Sequence, residues 1–376
     1  MFFLDRNNRK TILLINVQSS FIRASLIVSS KTSIPEIIFT TGRKIPTRLN
    51  KDNEYLIKAT INTIDSVIGS CGNTFIPANI SEVHFILSSP WAITHAKNTS
   101  MTFVEPTTVT KDNIVKLIGA ERREEKSKSK DIELIEEKIF SVRLNGYHVD
   151  DWQGKTVDCI DISSATSVAG SGIIQKFREI CSQILKNEKS IYFHSTSLLY
   201  YAAIKSILPL VSDYTLVDIH GESTDVLLVE NGVCVSFGSF PKGIDSITHT
   251  VAQTIGVDES VADSLITLSV GRHLDASKEK DTIDLLDKVI KDWNIGFDKV
   301  LSNVINISRP LETIMIIADM HEELFAHHIN SFHSGSKIYS LSFEQISSSV
   351  SFGPNVEKLI PNALYTIAIN SLSNNT

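Results

Sequence analysis

Residues 216–232, LVDIHGESTDVLLVENG, decide how the rest of the chain is read. An apolar run, a compact polar turn and a second, alternating apolar run spell strand, turn, strand. The turn gathers Asp218, His220, Gly221, Glu222, Ser223, Thr224 and Asp225 into one bend. A turn so furnished can surround a phosphate with N–H and hydroxyl donors, which makes its detailed chemistry decisive. Residues 11–28, TILLINVQSSFIRASLIV, repeat the plan around a neutral turn holding Asn16, Gln18, Ser19 and Ser20.

Working outward, residues 34–45 are β-rich, 53–69 carry apolar residues at helical spacing, and 81–91 return to strand character and end at Pro90. From about residue 100 the texture changes. A strand leads into a helix that Thr110 or Asp112 can cap, and residues 132–168 alternate like a hairpin with Asn145-Gly146 and Gln153-Gly154 as turn signals. An amphipathic helix over 172–187 completes what reads as a small α+β insertion. Then come strand 190–195, helix 197–208, the hairpin, a helix-rich stretch over 244–305, and a strand at 312–319 leading into a helix at 321–332.

A chain of 376 residues exceeds one ordinary core, so two or more domains are expected. Hydrophobic residues at 42% and charged residues at 21% give the balance of a folded globular protein. A net charge of −7 argues against nucleic acid, which needs a concentrated basic face. The mixed-sign run 121–131 reads as a solvated helix end or loop. Cys71, Cys159, Cys181 and Cys234 lack the paired spacing of a zinc or redox site and read as free thiols in a reducing compartment. The N-terminal residues carry charges where a signal peptide needs apolar ones, and no stretch approaches about 18 apolar residues, so a cytoplasmic protein is expected.

Two hairpin loops, a late strand-to-helix turn and an insertion after the first subdomain together resemble the actin-like ATPase superfamily, in the branch containing FtsA and PilM. That branch reads roughly Asp-hydrophobic-Gly-Gly-x-x-Thr-Asp at its second phosphate loop and Pro-x-Gly-Gly before the next helix; here the stretch 217–256 matches, with Gly243 at the helix entry. The resemblance implies an α/β, actin-like (ribonuclease H-like) two-lobed fold with a small inserted α+β (SHS2-like) subdomain. It places residues 1–98 and 190–208 in a first lobe, 99–189 in the insertion, 209–370 in a second lobe with a helical subdomain at about 244–310, and 371–376 in a frayed tail.

The resemblance also implies ATP and Mg²⁺ as ligands. It assigns Asn16, Ser19, Ser20, Asp218, Gly221, Glu222, Ser223, Thr224, Gly243 and Asp263 to nucleotide contact, Asp218 to the metal and His194, with Ser195 beside it, to the position near the attacking water. Residue types argue against full retention. Asn16 stands at an acid, Gln18 and His220 at glycines, Ala318-Asp319 at a Gly-Gly pair and Ile266 at a lysine. Glycine lets backbone approach a phosphate that a side chain would hold away, and Asp319 beside a phosphate would cost about 1–4 kcal/mol. The expectation is an actin-like fold with weak or lost hydrolysis.

The reading that follows is a PilM-like cytoplasmic scaffold of a pilus or cell-envelope assembly. It binds the cytoplasmic peptide of an inner-membrane partner beside the insertion, with indirect membrane contact and a homo-oligomer or filament as a further option. An FtsA-like division-associated filament protein and an active ATPase or phosphotransferase, with Asp218, Asp225 or Asp245 as its carboxylate, are the alternatives. Trp91, Trp152 and Trp293 are expected in cores, and His321, His327, His328 and His333 on a partly exposed helix face rather than in a metal site.

Overall fold

The computed structural model describes residues 9–46, 53–74, 80–128, 131–182, 190–270, 276–304 and 312–374. Strands β1 (Arg9–Val17), β2 (Phe21–Ser30) and β3 (Glu36–Lys44) form an antiparallel meander. Helix α1 (Asn53–Thr74) then returns the chain to β4 (Ile80–Leu87), which lies parallel to β1. The next strands, β5 (Ala92–Thr108), β6 (Ile132–Leu144), β7 (Tyr147–His148) and β8 (Thr156–Gly170), build a separate antiparallel sheet in the order β5-β8-β6-β7. Helix α2 (Lys111–Lys128) covers it, with Ile114, Leu117 and Ile118 against Val142, Ile160 and Ile162. Asn145 and Gly146, both at positive φ, make the tight β6–β7 turn expected of Asn-Gly.

Helix α3 (Ser171–Ser182) leads back to β9 (Ile191–Ser195), parallel to β4, and α4 (Thr196–Ile207) follows. The second half repeats the plan of the first. Strands β10 (Tyr214–Ile219), β11 (Thr224–Glu230) and β12 (Val233–Phe240) form a meander. Helices α5 (Ile244–Ile255), α6 (Glu259–Val270) and α7 (Ala276–Val304) then precede β13 (Thr313–Ala318), parallel to β10. After α8 (Glu322–Phe332), β14 (Lys337–Ser340) lies parallel to β13. The chain ends with α9 (Phe343–Ile346), β15 (Ser351–Phe352), parallel to β3, and α10 (Ile360–Asn374).

Both meander sheets are buried on two faces, which is why their strands are apolar runs rather than clean alternations. Leu13, Ile15 and Val17 of β1 pack outward with α1 and α3, while Ile12 and Leu14 pack inward with α4 and α10. In β10, Leu216 points to that same central layer, and Val217 and Ile219 face the helices α5–α8. The order of layers is therefore helices, sheet, α4 with α10, sheet, helices. The Tyr200 and Tyr365 hydroxyls, 2.7 Å apart, join the two central helices.

Three ranges expected from the sequence shift for identifiable reasons. The insertion, expected over 99–189, has its sheet over Ala92–Gly170, and α3 belongs to the first lobe because its Ile174, Phe177 and Cys181 stripe is buried there. Phe85 stacks on both Phe177 and Phe193, which ties that helix to β4 and β9. Residues after about 350, expected in the second lobe, return to the first sheet through β15 and to the central layer through α10. That terminal helix, expected to fray from residue 371, continues to Asn374. No described helix is long and apolar enough to cross a membrane.

Candidate functional site: the interlobe cleft

The two quoted turns face one another across one crevice. In the first, Gln18 N–H donates to the Phe21 carbonyl at 3.0 Å; in the second, His220 N–H donates to the Ser223 carbonyl at 2.9 Å. They touch directly, with Glu222 N–H donating to Ser19 Oγ at 2.9 Å and Ser20 Oγ donating to Asp245 Oδ2 on α5. Ser223 Oγ donates to the Ser89 carbonyl at 3.1 Å, and Ser89 N–H donates to Asp225 Oδ2 at 3.2 Å. Lys44 reaches Asp245 at 3.3 Å, and Arg23 of β2 reaches Asp319, just past β13, at 3.2 Å.

Close backbone approach underlies this closure. A Cβ on Gly221 would collide with Ser20 Oγ and Asp245 Oδ2, and one on Gly243 would run into the carbonyls of His220 and Gly221. Gly243 is the N-cap of α5, whose Ile244 and Asp245 N–H groups donate to those same two carbonyls at 3.0 and 2.8 Å. Glycine is needed at both positions to bring helix α5 against the second turn. Thr224 Oγ1 donates to the Lys242 carbonyl and receives the buried Trp293 indole N–H, fixing the start of β11.

Behind this contact Asp218, His220 and Asp225 are all buried. Asp218 and Asp225 are directly opposite residues of β10 and β11, and the His220 ring sits between them, with Nε2 at 2.9 Å from Asp218 Oδ2 and 3.4 Å from Asp225 Oδ2. Both are ion-pair contacts, and neither ring nitrogen makes a hydrogen bond of ordinary geometry. Burial pushes the Asp218 carboxyl up to about 6, opposed by His220. Burial would drive the His220 ring towards neutrality; the two carboxylates outweigh it and raise its affinity for positive charge. Among the described residues, these three side chains form a group able to hold a metal ion, with one ligand atom from each within 4.8 Å of the others.

Asn16, Gln18, Ser19, Ser20, Asp218, Gly221, Ser223 and Thr224 are thus gathered in or beside the crevice, all buried, with half-buried Glu222 joining through its N–H. Other predicted positions are engaged elsewhere. Asp263 of α6 pairs with His321 Nε2 at 2.8 Å. His194 closes a buried chain, its Nε2 3.0 Å from His84 Nδ1 and its Nδ1 3.3 Å from Glu136 Oε1 of the inserted sheet, so both ring nitrogens are occupied. Neighbouring Ser195 caps α4 by accepting from Leu198 N–H. Ile266 is buried in the second lobe's outer core. Asp319, expected to repel a phosphate, is neutralised by Arg23.

Of the histidines on and beside α8, His328 pairs with Asp287 and His333 with Asp298, each on α7, and the His327 and His328 rings meet edge to face. Trp91 and Trp293 are buried, and Trp152 packs on the inserted sheet's core. Cys71, Cys181 and Cys234 are buried free thiols, and Cys159 is half-buried. The sequence reading missed Arg23, Lys44 and Ser89 as closing residues, because no local pattern marks a partner hundreds of positions away.

Beside the closed crevice lies a half-open cavity of about 210 Å³, at the junction of the inserted sheet with both lobes. Ile93, Thr94 and His95 of β5, Ser195 at the end of β9, Ser197 of α4, and Phe237 with Ser239 of β12 contribute to its walls. Strands β5 and β12 are each the outermost strand of their sheet.

ATP with Mg²⁺ is the ligand pair the fold implies, and the residues present do not fit it. Ser20 and Asp245 lie directly against Gly221, His220 places a ring in the turn, and the first turn offers the Asn16 amide, both of whose polar atoms are buried without a partner, in place of a carboxylate. A neutral amide cannot offset a hydrated dication as a carboxylate does.

No protein-family model matches the chain, and no curated protein matches it in sequence. Solved structures do match. PilM, in a structure of the PilM-PilN type IV pilus biogenesis complex, superposes with a TM-score of 0.65 at 12% identity, covering 96% of this chain and 98% of that one. The ethanolamine utilization protein EutJ of Carboxydothermus hydrogenoformans aligns over 95% of this chain and 88% of its own at TM-score 0.45 and 11% identity. Apo pSK41 ParM aligns over 97% and 98% at TM-score 0.41 and 9% identity. The likeness to PilM, together with the repeated meander sheets around a central helix layer, shows that this chain has the actin-like two-lobed fold.

Proposed function

We propose that this chain is a scaffold of a cell-envelope assembly, similar in role to PilM, that holds its two lobes together without nucleotide. The observation that carries the reading is the set of side-chain contacts that fill the crevice from both lobes. An ATPase of this fold needs that space for phosphates and a metal; here Ser19 binds the Glu222 N–H, Ser20 binds Asp245 and Arg23 binds Asp319. A fixed closed form suits a protein whose work is to present a surface.

The surface that supports this role is the junction beside β5. A short extended peptide of a membrane-anchored partner would pair along an outer strand and place one or two side chains in the 210 Å³ cavity, in the manner of β-strand addition. PilM is found with PilN in its own structure, which supports a protein partner here. The protein acts on this reading in the cytoplasm and touches the membrane only through that partner.

The test has two arms. Purified protein with Mg²⁺ and ATP is expected to release no phosphate above background; turnover that disappears in Asp218→Ala would overturn the reading. A photo-crosslinking residue at Ile93, which is 56% exposed and lines the cavity, is expected to capture the partner in the native host, whereas one at Tyr147, on the opposite edge of the inserted sheet, is not.

A further inference from the structure

We propose that Asp218, His220 and Asp225 form a nucleotide-independent site for a first-row divalent transition ion, with zinc as the reference ion. The site goes beyond the scaffold reading, since an ion held by side chains alone requires neither nucleotide nor partner peptide.

Register supplies the first argument. Asp218 and Asp225 are direct cross-strand neighbours at the turn end of β10 and β11, where like charges oppose one another at close range. Both are buried, at 4% and 7% exposure, so water does not screen them. A cation between them removes a cost that the strand pairing otherwise imposes. The hydrogen bond that closes the turn, His220 N–H to the Ser223 carbonyl, holds the histidine at that point.

Charge counting supplies the second. Two carboxylates with an imidazolium leave one net negative charge in a buried site, and a buried net charge is expensive. Two carboxylates, a neutral imidazole and a divalent ion sum to zero.

Geometry supplies the third. Ligands bound at about 2.0–2.2 Å to one ion at octahedral or tetrahedral angles lie about 2.9–3.5 Å apart. His220 Nε2 lies 2.9 and 3.4 Å from the two carboxylates, matching that spacing, and neither ring nitrogen makes a hydrogen bond of ordinary geometry. Asp218 Oδ2 and Asp225 Oδ1 are likewise buried without a hydrogen-bond partner. Ser89 N–H, donated from the first lobe to Asp225 Oδ2, orients a ligand from outside, as carboxylate ligands commonly require.

Donor type selects the ion. One imidazole and two carboxylates suit zinc, manganese or iron(II), whereas magnesium favours oxygen and retained water. The bound ion would fix the second turn beneath the first lobe and so belong to the closure of the crevice.

The test uses the full chain. Elemental analysis after dialysis against metal-free buffer is expected to find about one transition-metal equivalent per chain, falling at least roughly tenfold in His220→Gln and in Asp225→Asn. On the unmodified protein, a chelator is expected to lower Tm by several degrees, with recovery on adding ZnCl₂ or MnCl₂ and none on adding MgCl₂. This second arm does not depend on the variants folding. Sub-stoichiometric metal with no Tm response to zinc or manganese would overturn the proposal, as would metal retained undiminished in both variants. Either outcome would leave the scaffold reading standing, because that reading falls on Asp218-dependent ATP turnover.

Discussion

The two lobes share one strand order and meet through turns of opposite chemistry. The first turn presents neutral groups, Asn16, Gln18, Ser19 and Ser20, while the second gathers charge at Asp218, His220 and Asp225. Backbone topology repeats because each meander must bury both faces of its sheet; the turns carry no such constraint and are free to diverge. Their divergence is complementary. Ser20 gives a hydroxyl proton to Asp245, Ser19 accepts the Glu222 N–H, and Ser89 N–H steadies Asp225, so each lobe satisfies polar groups of the other. In an active nucleotide cleft those groups would be left for a ligand.

The comparison breaks most visibly at its charged side. His220→Leu leaves the two buried carboxylates facing one another without the ring that sits between them and is expected to cost about 3–5 kcal/mol in urea unfolding. Asn16→Leu is the matching change on the neutral side. Both polar atoms of that amide are buried without a partner, so an apolar residue of similar size should cost less than about 1 kcal/mol or stabilise the protein. Equal costs at the two positions would erase the distinction drawn between the turns.

A pH titration sharpens the contrast by isolating the first lobe. Burial, opposed by Glu82 and reinforced by neighbouring His194 and Lys10, lowers the His84 ring from 6.5 to about 4. Beyond His194, Glu136 faces this chain from β6, and Tyr192 stacks on the His84 ring. The unfolded chain takes up the proton near 6.5 and the folded one only near 4, so the His84 contribution to stability falls by about 3 kcal/mol as pH drops between those values, while Asp218, held up at about 6 in the fold, contributes with the opposite sign in the same window. The stability difference between the unmodified protein and His84→Gln, taken from chemical-denaturation series, should therefore change by that amount from pH 7 to 4. An unchanged slope would show that another group titrates there.

Smaller effects are expected at the rim. Arg23 and Asp319 form a shielded ion pair between the lobes, with side chains 12% and 16% exposed, and Arg23→Met should cost about 1.5–3 kcal/mol. A double-mutant cycle with Asp319→Asn would report their coupling. Lys44 pairs with Asp245 while 66% exposed, so Lys44→Ala should change stability by less than about 1 kcal/mol and the difference should vanish at high salt. A larger effect at Lys44 than at Arg23 would mean that the crevice is held at its surface rather than within.

Much of the architecture was legible along the chain. Asp218 and Gly221 mark one turn and Ser19 and Ser20 the other; apolar runs mark the strands of both sheets, and α5, α6 and α7 occupy the stretch read as helix-rich. The edges of the insertion were not legible. Strand β5 begins seven residues before the expected boundary at residue 99, because alternation looks the same in either sheet, and the stripe of α3 does not say which lobe buries it. Within the candidate site, the residue types that differ from an ATPase were readable singly. What those residues do together was not.

The sequence alone determined that two similar hairpins with unlike turns are present, that a small α+β unit interrupts the first lobe, and that several expected nucleotide contacts have changed type, since these are properties of neighbouring residues and their spacing. Only the tertiary structure decided that the turns close on each other. Ser20 and Asp245 are 225 positions apart and Arg23 and Asp319 are 296 apart, and no local periodicity encodes which distant groups will share a buried crevice. Burial then gives those pairings their strength, because polar groups withdrawn from water must find partners within the chain.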